Sequence, residues 1–172
     1  AELDIRGLRV DGNPCPTPSG TAMGCRSRLN GMGFFPLELD DFDLIQALVA
    51  GQPDGCIRGL CVPAAPDALT DALGTAAGLE RLKGSAALYG QFTGADGGAA
   101  GHPLLNADSP SGWYWVEVLH YSAASLISAG SQGLPVPDPA QPFVYRIHAV
   151  VEGLREGTQV HLVSVLVPRP LP

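Results

Sequence analysis

The last third of the chain carries the strongest folding constraint, because its apolar residues recur with the two-residue period of β-strands. Residues 112–122 read GWYWVEVLHYS, and residues 143–167 read FVYRIHAVVEGLREGTQVHLVSVLV, with a turn between Gly153 and Gly157. Alternating aromatic and β-branched residues favour strands. The prolines of the final PRPLP end the pattern, since proline cannot donate to a strand ladder. We therefore predict three antiparallel strands over residues 113–167.

The same alternation predicts one strongly apolar face of the sheet and one partly solvated face. An apolar face of this size must be covered, and a long N-terminal helix is the natural cover. We assign to the apolar face Trp113, Trp115, Leu119, Tyr121, Phe143, Tyr145, Ile147, Ala149, Val151, Val160, Leu162, Ser164 and Leu166. We assign to the solvated face Arg146, Gln159, His120, His148 and His161.

The preceding two thirds of the chain predict short helices between long loops. Residues 1–10 have the composition of a helix end. The chain contains 22 glycines and 16 prolines, and glycines and prolines interrupt residues 11–112 throughout. Residues 41–50 predict a short helix that Gly51 terminates. With 172 residues, the chain is long enough for one well-packed domain. We expect a single α+β domain with segregated helical and sheet parts.

The four cysteines form two close pairs, Cys15 with Cys25 and Cys56 with Cys61. The gaps of nine and four residues differ from the two-residue gaps of zinc knuckles and thioredoxin-type redox motifs. Two local disulfides are the preferred interpretation, although four cysteines allow three connectivities and a crossed pairing stays open. Lasting disulfides indicate a periplasmic or extracellular location.

Charge and hydropathy exclude two classes of partner. The chain has 10 basic and 17 acidic residues, a net charge of −7, whereas nucleic-acid binding needs a basic surface. No apolar run reaches the ~18 residues of a membrane span. Residues 1–12 lack the basic head and apolar stretch of a signal peptide. Because disulfides favour export, we expect a mature or trimmed form whose N-terminal helix begins further upstream.

Several residues invite interpretations as a chemical site. His148 and His161 would meet on one face if residue 150 pairs with residue 159, and His120 could complete a three-histidine zinc site. Polar residues on a solvated face are the preferred alternative. A serine hydrolase is disfavoured because only SAGSQG, with Ser131, resembles the nucleophile motif Gly-x-Ser-x-Gly. We expect no catalytic residue, no metal and no cofactor.

Acidic residues and one glycine-rich loop raise questions of binding. Glu117 interrupts the predicted apolar face, so it lies either at the sheet edge, where it could contact a partner, or buried against an arginine such as Arg6, Arg9 or Arg26. The loop over residues 94–112, with Asp96 and His102, is a candidate partner contact or a plain connection. The acidic cluster Glu38, Asp40, Asp41 and Asp43 could bind calcium, but complementing a helix N-terminus explains it more simply.

Four motifs in order give the chain a resemblance to a known family. CIRGLC stands first, at residues 56–61, and ALYGQFTGA follows at residues 87–95. YWVEVL at residues 114–119 precedes the closing pair, YRIHA at 145–149 and TQVHLVS at 158–164. This succession resembles the PilX-type minor pilins of type IV pili. The resemblance covers residues 56–167 and does not include Cys15 and Cys25.

The resemblance implies a type IV pilin-like fold, in which an N-terminal helix packs on a C-terminal antiparallel sheet. It implies a non-enzymatic subunit of the complex that primes pilus assembly and remains at the filament tip, in the context of adhesion and twitching motility. Its partners would be other minor pilins, the major pilin and a large tip adhesin. Membrane contact would occur only through the missing helix, in the inner membrane before assembly. The alternatives are a minor pseudopilin of a type II secretion system or a secreted disulfide-bonded enzyme.

Overall fold

A computed structural model describes residues 1–15, 24–26, 34–65, 67–95, 112–122, 124 and 136–168. The helices are α1 (Glu2–Ile5), α2 (Leu39–Val49), α3 (Ala68–Leu73) and α4 (Ala76–Lys83), with a 3-10 turn at Pro53–Gly55. The strands are β1 (Cys56–Ile57), β2 (Leu60–Cys61), β3 (Ala87–Leu88), β4 (Gly112–His120), β5 (Phe143–Glu152) and β6 (Gln159–Leu166). The predicted α+β class, with a sheet of several strands and short helices, is confirmed.

The sheet has the order β1-β2-β4-β5-β6, and β3 pairs with β4 beside this path. The long strands β4, β5 and β6 form the antiparallel meander that the alternation predicts. The short strand β2 pairs with β4 in parallel, and sequence periodicity cannot reveal a strand of two residues. The sheet therefore extends beyond the predicted three strands into the region that was expected to form only loops and short helices.

The predicted division of β4 between the two faces is wrong. In the observed register Trp113 lies opposite Val150 and Trp115 lies opposite His148. Both tryptophans therefore share a face with His148 and not with Tyr145 or the other apolar residues of β5. Every residue of β4 from 112 to 118 is buried, so alternation in this strand carries no signal for which face is inward.

Each face of the sheet has its own apolar cluster. The front face is formed by Tyr114, Val116, Val118, Tyr145 and Ile147, and it packs on a cluster that contains Phe34, Phe35, Ile45, Val49 and Phe92. The back face is formed by Trp113, Trp115 and Val150, and it packs on Leu69, Leu73, Leu79 and Leu82 of α3 and α4. The back face was predicted to be partly solvated, but these two helices cover part of it.

The helices begin and end where local chemistry requires it. Helix α2 starts at a capping box, in which the Asp41 carboxylate accepts a hydrogen bond from the backbone N–H of Glu38 and the Glu38 side chain accepts one in return. Helix α4 starts at Thr75, whose hydroxyl accepts a hydrogen bond from the N–H of Gly78 at 3.1 Å. Gly74 ends α3, so residues 68–83 form two short helices, as the internal glycines predict.

The N-terminal segment packs on the front face. Helix α1 has four residues, and Ala1 and Ile5 contact the front cluster. The backbone then turns at Gly7, with φ of +63°, and Leu8 forms an isolated bridge with Pro14. The predicted helix end over residues 1–10 is therefore reduced to one four-residue turn, which ends at Ile5.

Candidate functional site

The most concentrated polar chemistry lies inside the sheet, in a group that we call the Glu117 cluster: Glu117, Arg146, His148 and His161. The register places Glu117 directly opposite Arg146, and the Glu117 side chain has no exposed surface. Its carboxylate accepts hydrogen bonds from Nε and Nη2 of Arg146. It also contacts Nε2 of His148 at 2.9 Å. Arg146 in turn donates through Nη1 to the Asp67 carboxylate at 2.8 Å.

These contacts set the charge of Glu117. Burial by itself raises the pKa of the Glu117 carboxyl group, because an ion loses hydration in the protein interior. The hydrogen bonds from His148 and Arg146 act in the opposite direction and prevail, so the pKa lies below its ordinary value. Glu117 is therefore an ionised, acceptor-only group at neutral pH.

The ionised carboxylate also fixes the histidines that follow it. Nε2 of His148 must donate to the Glu117 carboxylate, because an ionised carboxylate only accepts hydrogen bonds. Nδ1 of His148 lies 3.3 Å from Nε2 of His161, so the two rings are joined by a hydrogen bond. Burial, and next the neighbouring His148, lower the pKa of His161. The cluster is thus a chain of hydrogen bonds from the buried centre of the sheet to the last strand.

This geometry supports structure better than catalysis. In a hydrolase of the His–carboxylate type, the second ring nitrogen faces a hydroxyl nucleophile, whereas in this cluster it faces another imidazole. His120 lies on the opposite side of the sheet, beside Phe42 and Phe143 with ring centroids 5.9 Å apart in each pair. The three histidines of the zinc hypothesis therefore do not converge. In the described part of the chain no group of three His, Cys, Asp or Glu residues is placed to hold a metal.

Three sequence predictions about this region need correction. Glu117 lies in the middle of β4 and not at a sheet edge, so its carboxylate is not available to a partner. Its ion-pair partner is Arg146, not Arg6, Arg9 or Arg26. His148 is fully buried, so it is not on a solvated face. The signal that could have found this pairing is the spacing of Arg146 and His148, two residues apart on β5, opposite the lone acidic residue of β4.

Arg26 organises a second buried polar group, on the front face. Its Nε donates to the Asp4 carboxylate at 2.8 Å, and its Nη1 donates to the backbone oxygen of Arg58 at 2.7 Å. The Tyr114 hydroxyl donates to Asp4 at 2.7 Å. The guanidinium also lies over the ring of Phe92, 3.8 Å from its centroid. Burial raises the pKa of Asp4 above its ordinary value against the opposing effect of Arg26.

Both predicted disulfides are present. Cys15 pairs with Cys25, with Cα atoms 5.9 Å apart, and Cys56 pairs with Cys61 across the β1–β2 hairpin, with Cα atoms 4.2 Å apart. Cys56 and Cys61 are buried and belong to the cluster behind the sheet. The second disulfide is therefore part of the core and not a surface staple.

The other candidate binding residues have separate outcomes. Asp96 and His102, the proposed contacts of the loop 94–112, lie outside the described residues. In the acidic cluster, Asp41 bonds the backbone N–H groups of Leu37 at 3.0 Å and Glu38 at 3.4 Å. Helix capping therefore accounts for Asp41 of the acidic cluster.

Four of the large apolar side chains that are exposed on the described surface lie together on β6. Val160 and Leu162 are exposed on the front side of this strand, and Val163 and Val165 on the back side. β6 is the last strand in the sheet order. In the described part of the chain, no other strand pairs with its outer edge, so this edge is a candidate interaction surface.

Two further findings concern the class of the protein. No helix among the described residues is both long enough and apolar enough to cross a membrane. Comparisons with protein-family models, with curated proteins and with solved structures find no match to the chain.

Proposed function

We propose that this chain is the globular domain of a PilX-type minor pilin, a structural subunit of the complex that initiates type IV pilus assembly and links the filament to a tip adhesin. The motif order in residues 56–167 first suggests this function. The observation that carries it is the packing of the N-terminal helical segment on the front face of the sheet. A pilin needs this contact, because its assembly helix must be attached rigidly to the domain that it carries.

The attachment of α1 is more than apolar packing. Asp4 is buried and receives hydrogen bonds from Arg26 and Tyr114. Arg26 directly follows Cys25, which the disulfide to Cys15 joins to the N-terminal segment. A force transmitted through the N-terminal segment would therefore reach β4 through the hydrogen bond between Asp4 and Tyr114, and the β1–β2 hairpin through Arg26 and the backbone oxygen of Arg58.

The proposal has a direct genetic and biochemical test. A strain that lacks the gene is expected to lose surface pili and twitching motility, and the full-length protein should restore both. The 172-residue domain, immobilised through its C-terminus, is expected to retain minor pilins and a large adhesin encoded in the same genome. Asp4→Asn in the full-length protein should reduce complementation, whereas the exposed control Asp43→Asn should not.

Three results would contradict the proposal. Normal piliation in the deletion strain would remove the assembly role. Loss of protein secretion with intact pili would favour a minor pseudopilin of a type II secretion system. An upstream coding sequence without an apolar stretch of ~20 residues would deprive the domain of an assembly helix.

A further inference from the structure

The outer edge of β6 lacks the features that normally protect a sheet edge. Natural edge strands carry lysines, prolines, bulges or inward charges that prevent pairing with another chain. β6 reads QVHLVSVL and contains no Asp, Glu, Lys, Arg or Pro. The exposed fractions of Val160, Leu162, Val163 and Val165 are 51%, 62%, 51% and 61%. The strand is thus apolar on both sides and open along its length in the described part of the chain.

The hairpin geometry identifies which backbone groups point outward. The Gly153 N–H donates to the Thr158 oxygen at 2.8 Å, and hydrogen-bonded pairs in an antiparallel ladder recur at every second position. The even-numbered residues of β6 therefore bond to β5. The Tyr121 N–H donates to the Pro142 oxygen at 2.8 Å, so the even-numbered residues of β5 bond to β4. The backbone groups of the odd-numbered residues of β5 are therefore the ones that bond to β6, in agreement with the hairpin. The N–H and C=O groups of His161, Val163 and Val165 are consequently directed to the outer edge.

The sequence of β6 is complementary to itself in one antiparallel register. If Val163 lies opposite Val163 of a second copy, then His161 lies opposite Val165 of that copy, and all outward backbone groups of these residues find partners. On the front side Leu162 would lie opposite Ser164, and Val160 opposite Leu166. No cross-strand pair brings like charges together, although the whole chain carries a net charge of −7.

We propose that β6 pairs antiparallel with β6 of a second copy of this chain, about a two-fold axis at Val163, and that the two sheets become one continuous sheet. The opposite end of each sheet is the β1–β2 hairpin, with strands of two residues. A second long edge is therefore not offered in the described part of the chain, and the assembly closes as a dimer and not as a fibre. This inference goes beyond the proposed function and does not depend on it.

Cysteine crosslinking tests the register directly. All four native cysteines are in disulfides, so Val163→Cys introduces the one free thiol of the chain. In a hydrogen-bonded antiparallel pair the two Cα atoms lie about 5.5 Å apart, which a disulfide can bridge. Val163→Cys is expected to give a disulfide-linked dimer on mild oxidation. The matched control Val165→Cys, on the same strand and face, should stay monomeric under denaturing conditions, because residue 165 lies opposite residue 161.

A charge substitution tests the dimer without a covalent bond. Val163→Lys places two ammonium groups opposite each other, and position 163 is exposed, so the monomer should still fold. Sedimentation velocity at micromolar concentrations is expected to show a dimer for the wild type and at least a tenfold higher dissociation constant for the variant. The control Leu154→Lys adds the same charge in the hairpin turn and should not change the dissociation constant. A monomeric wild type, equal crosslinking at positions 163 and 165, or open-ended polymers would each overturn the proposal.

Discussion

At the scale of single residues, Glu117 shows how one side chain can determine the character of a sheet. Its carboxylate is the only charged group of β4 and lies where both faces of the strand are buried. Such a group is tolerated only when it is paired and its oxygens are hydrogen-bonded. Arg146 and His148 meet this requirement from the neighbouring strand, so Glu117 helps to specify the register of β4 against β5.

We predict that Glu117→Gln lowers the free energy of unfolding by about 2–3 kcal/mol, because the Arg146 guanidinium loses its buried counter-ion while keeping Asp67 and partial exposure. Urea unfolding at neutral pH measures the change. Glu80→Gln is the control, because Glu80 bonds Lys83 but its side chain is 68% exposed, and it should cost less than about 1 kcal/mol. Equal effects of the two substitutions would contradict a buried pairing role.

His161 gives the cluster a pH dependence whose sign follows from its lowered pKa. The unfolded chain, with an ordinary histidine pKa of about 6.5, binds the proton more readily than the folded chain. We therefore expect the free energy of unfolding to fall between about pH 7.5 and 5.5, above the range in which carboxylates titrate. His161→Gln should reduce this slope. An unchanged slope in His161→Gln would show that other groups cause it.

At the scale of elements, the β1–β2 hairpin requires a glycine at position 59, because there is no room for a side chain between the hairpin and its neighbours. Gly59 has φ of +75°, and a Cβ at this position would lie 2.6 Å from the Cβ of Ala87 and 2.8 Å from the backbone oxygen of Tyr114. Its own carbonyl accepts a hydrogen bond from the Val116 N–H at 2.7 Å. Gly59 thus lets the disulfide-closed hairpin approach β4 closely enough to extend the sheet.

We predict that Gly59→Ala costs about 2–5 kcal/mol of stability, from the left-handed conformation together with the steric conflict. Thermal and urea unfolding monitored by tryptophan fluorescence would report it, since Trp113 and Trp115 lie on β4. Gly51→Ala is the matched control, because no atom lies within 4 Å of a Cβ built at Gly51. The free energy of unfolding of this variant should stay within about 1 kcal/mol of the wild-type value. A Gly59→Ala protein as stable as this control would exclude the close approach.

At the scale of the whole molecule, Arg26 connects segments that are far apart in the chain. It bonds Asp4 of α1 and the backbone of Arg58 between β1 and β2, and it packs between the rings of Phe34 and Phe92. Its side chain is 5% exposed and that of Asp4 is 1% exposed. A buried ion pair contributes little net stability but is costly to break on one side only.

We predict that Asp4→Asn and Arg26→Met each cost about 3–5 kcal/mol, and that the double variant costs clearly less than their sum. A double-mutant cycle measured by urea unfolding gives the coupling energy. The control cycle uses Arg9 and Asp11, whose atoms are 3.9 Å apart and whose side chains are 40% and 46% exposed. Its coupling should be near zero. Additive costs for Asp4 and Arg26 would show that they do not act as a pair.

The sequence predicted the long strands β5 and β6, the turn between them, the short helices and the local cysteine pairs. Each of these rests on information that is near in sequence: a two-residue period, a capping residue, a glycine stop or a short loop. The same reasoning left open whether Glu117 is buried or lies at the sheet edge, and it named the wrong ion-pair partners. The arginines that it proposed, Arg6, Arg9 and Arg26, lie in segments whose packing against the sheet cannot be predicted from a local sequence pattern.

By itself, the sequence therefore determined the α+β class and the meander, and it favoured two local disulfides without excluding a crossed pairing. Only the tertiary structure decided which face of the sheet the tryptophans occupy. Because β4 is buried on both sides, its sequence does not indicate which residues face which side. The tertiary structure also decided that α3 and α4 cover part of the back face, that a two-residue strand joins β4 in parallel, and that Glu117 meets Arg146 and His148. These features depend on strand register and on close contacts between segments that are distant in the sequence. Such contacts are determined only when the whole chain packs into its core.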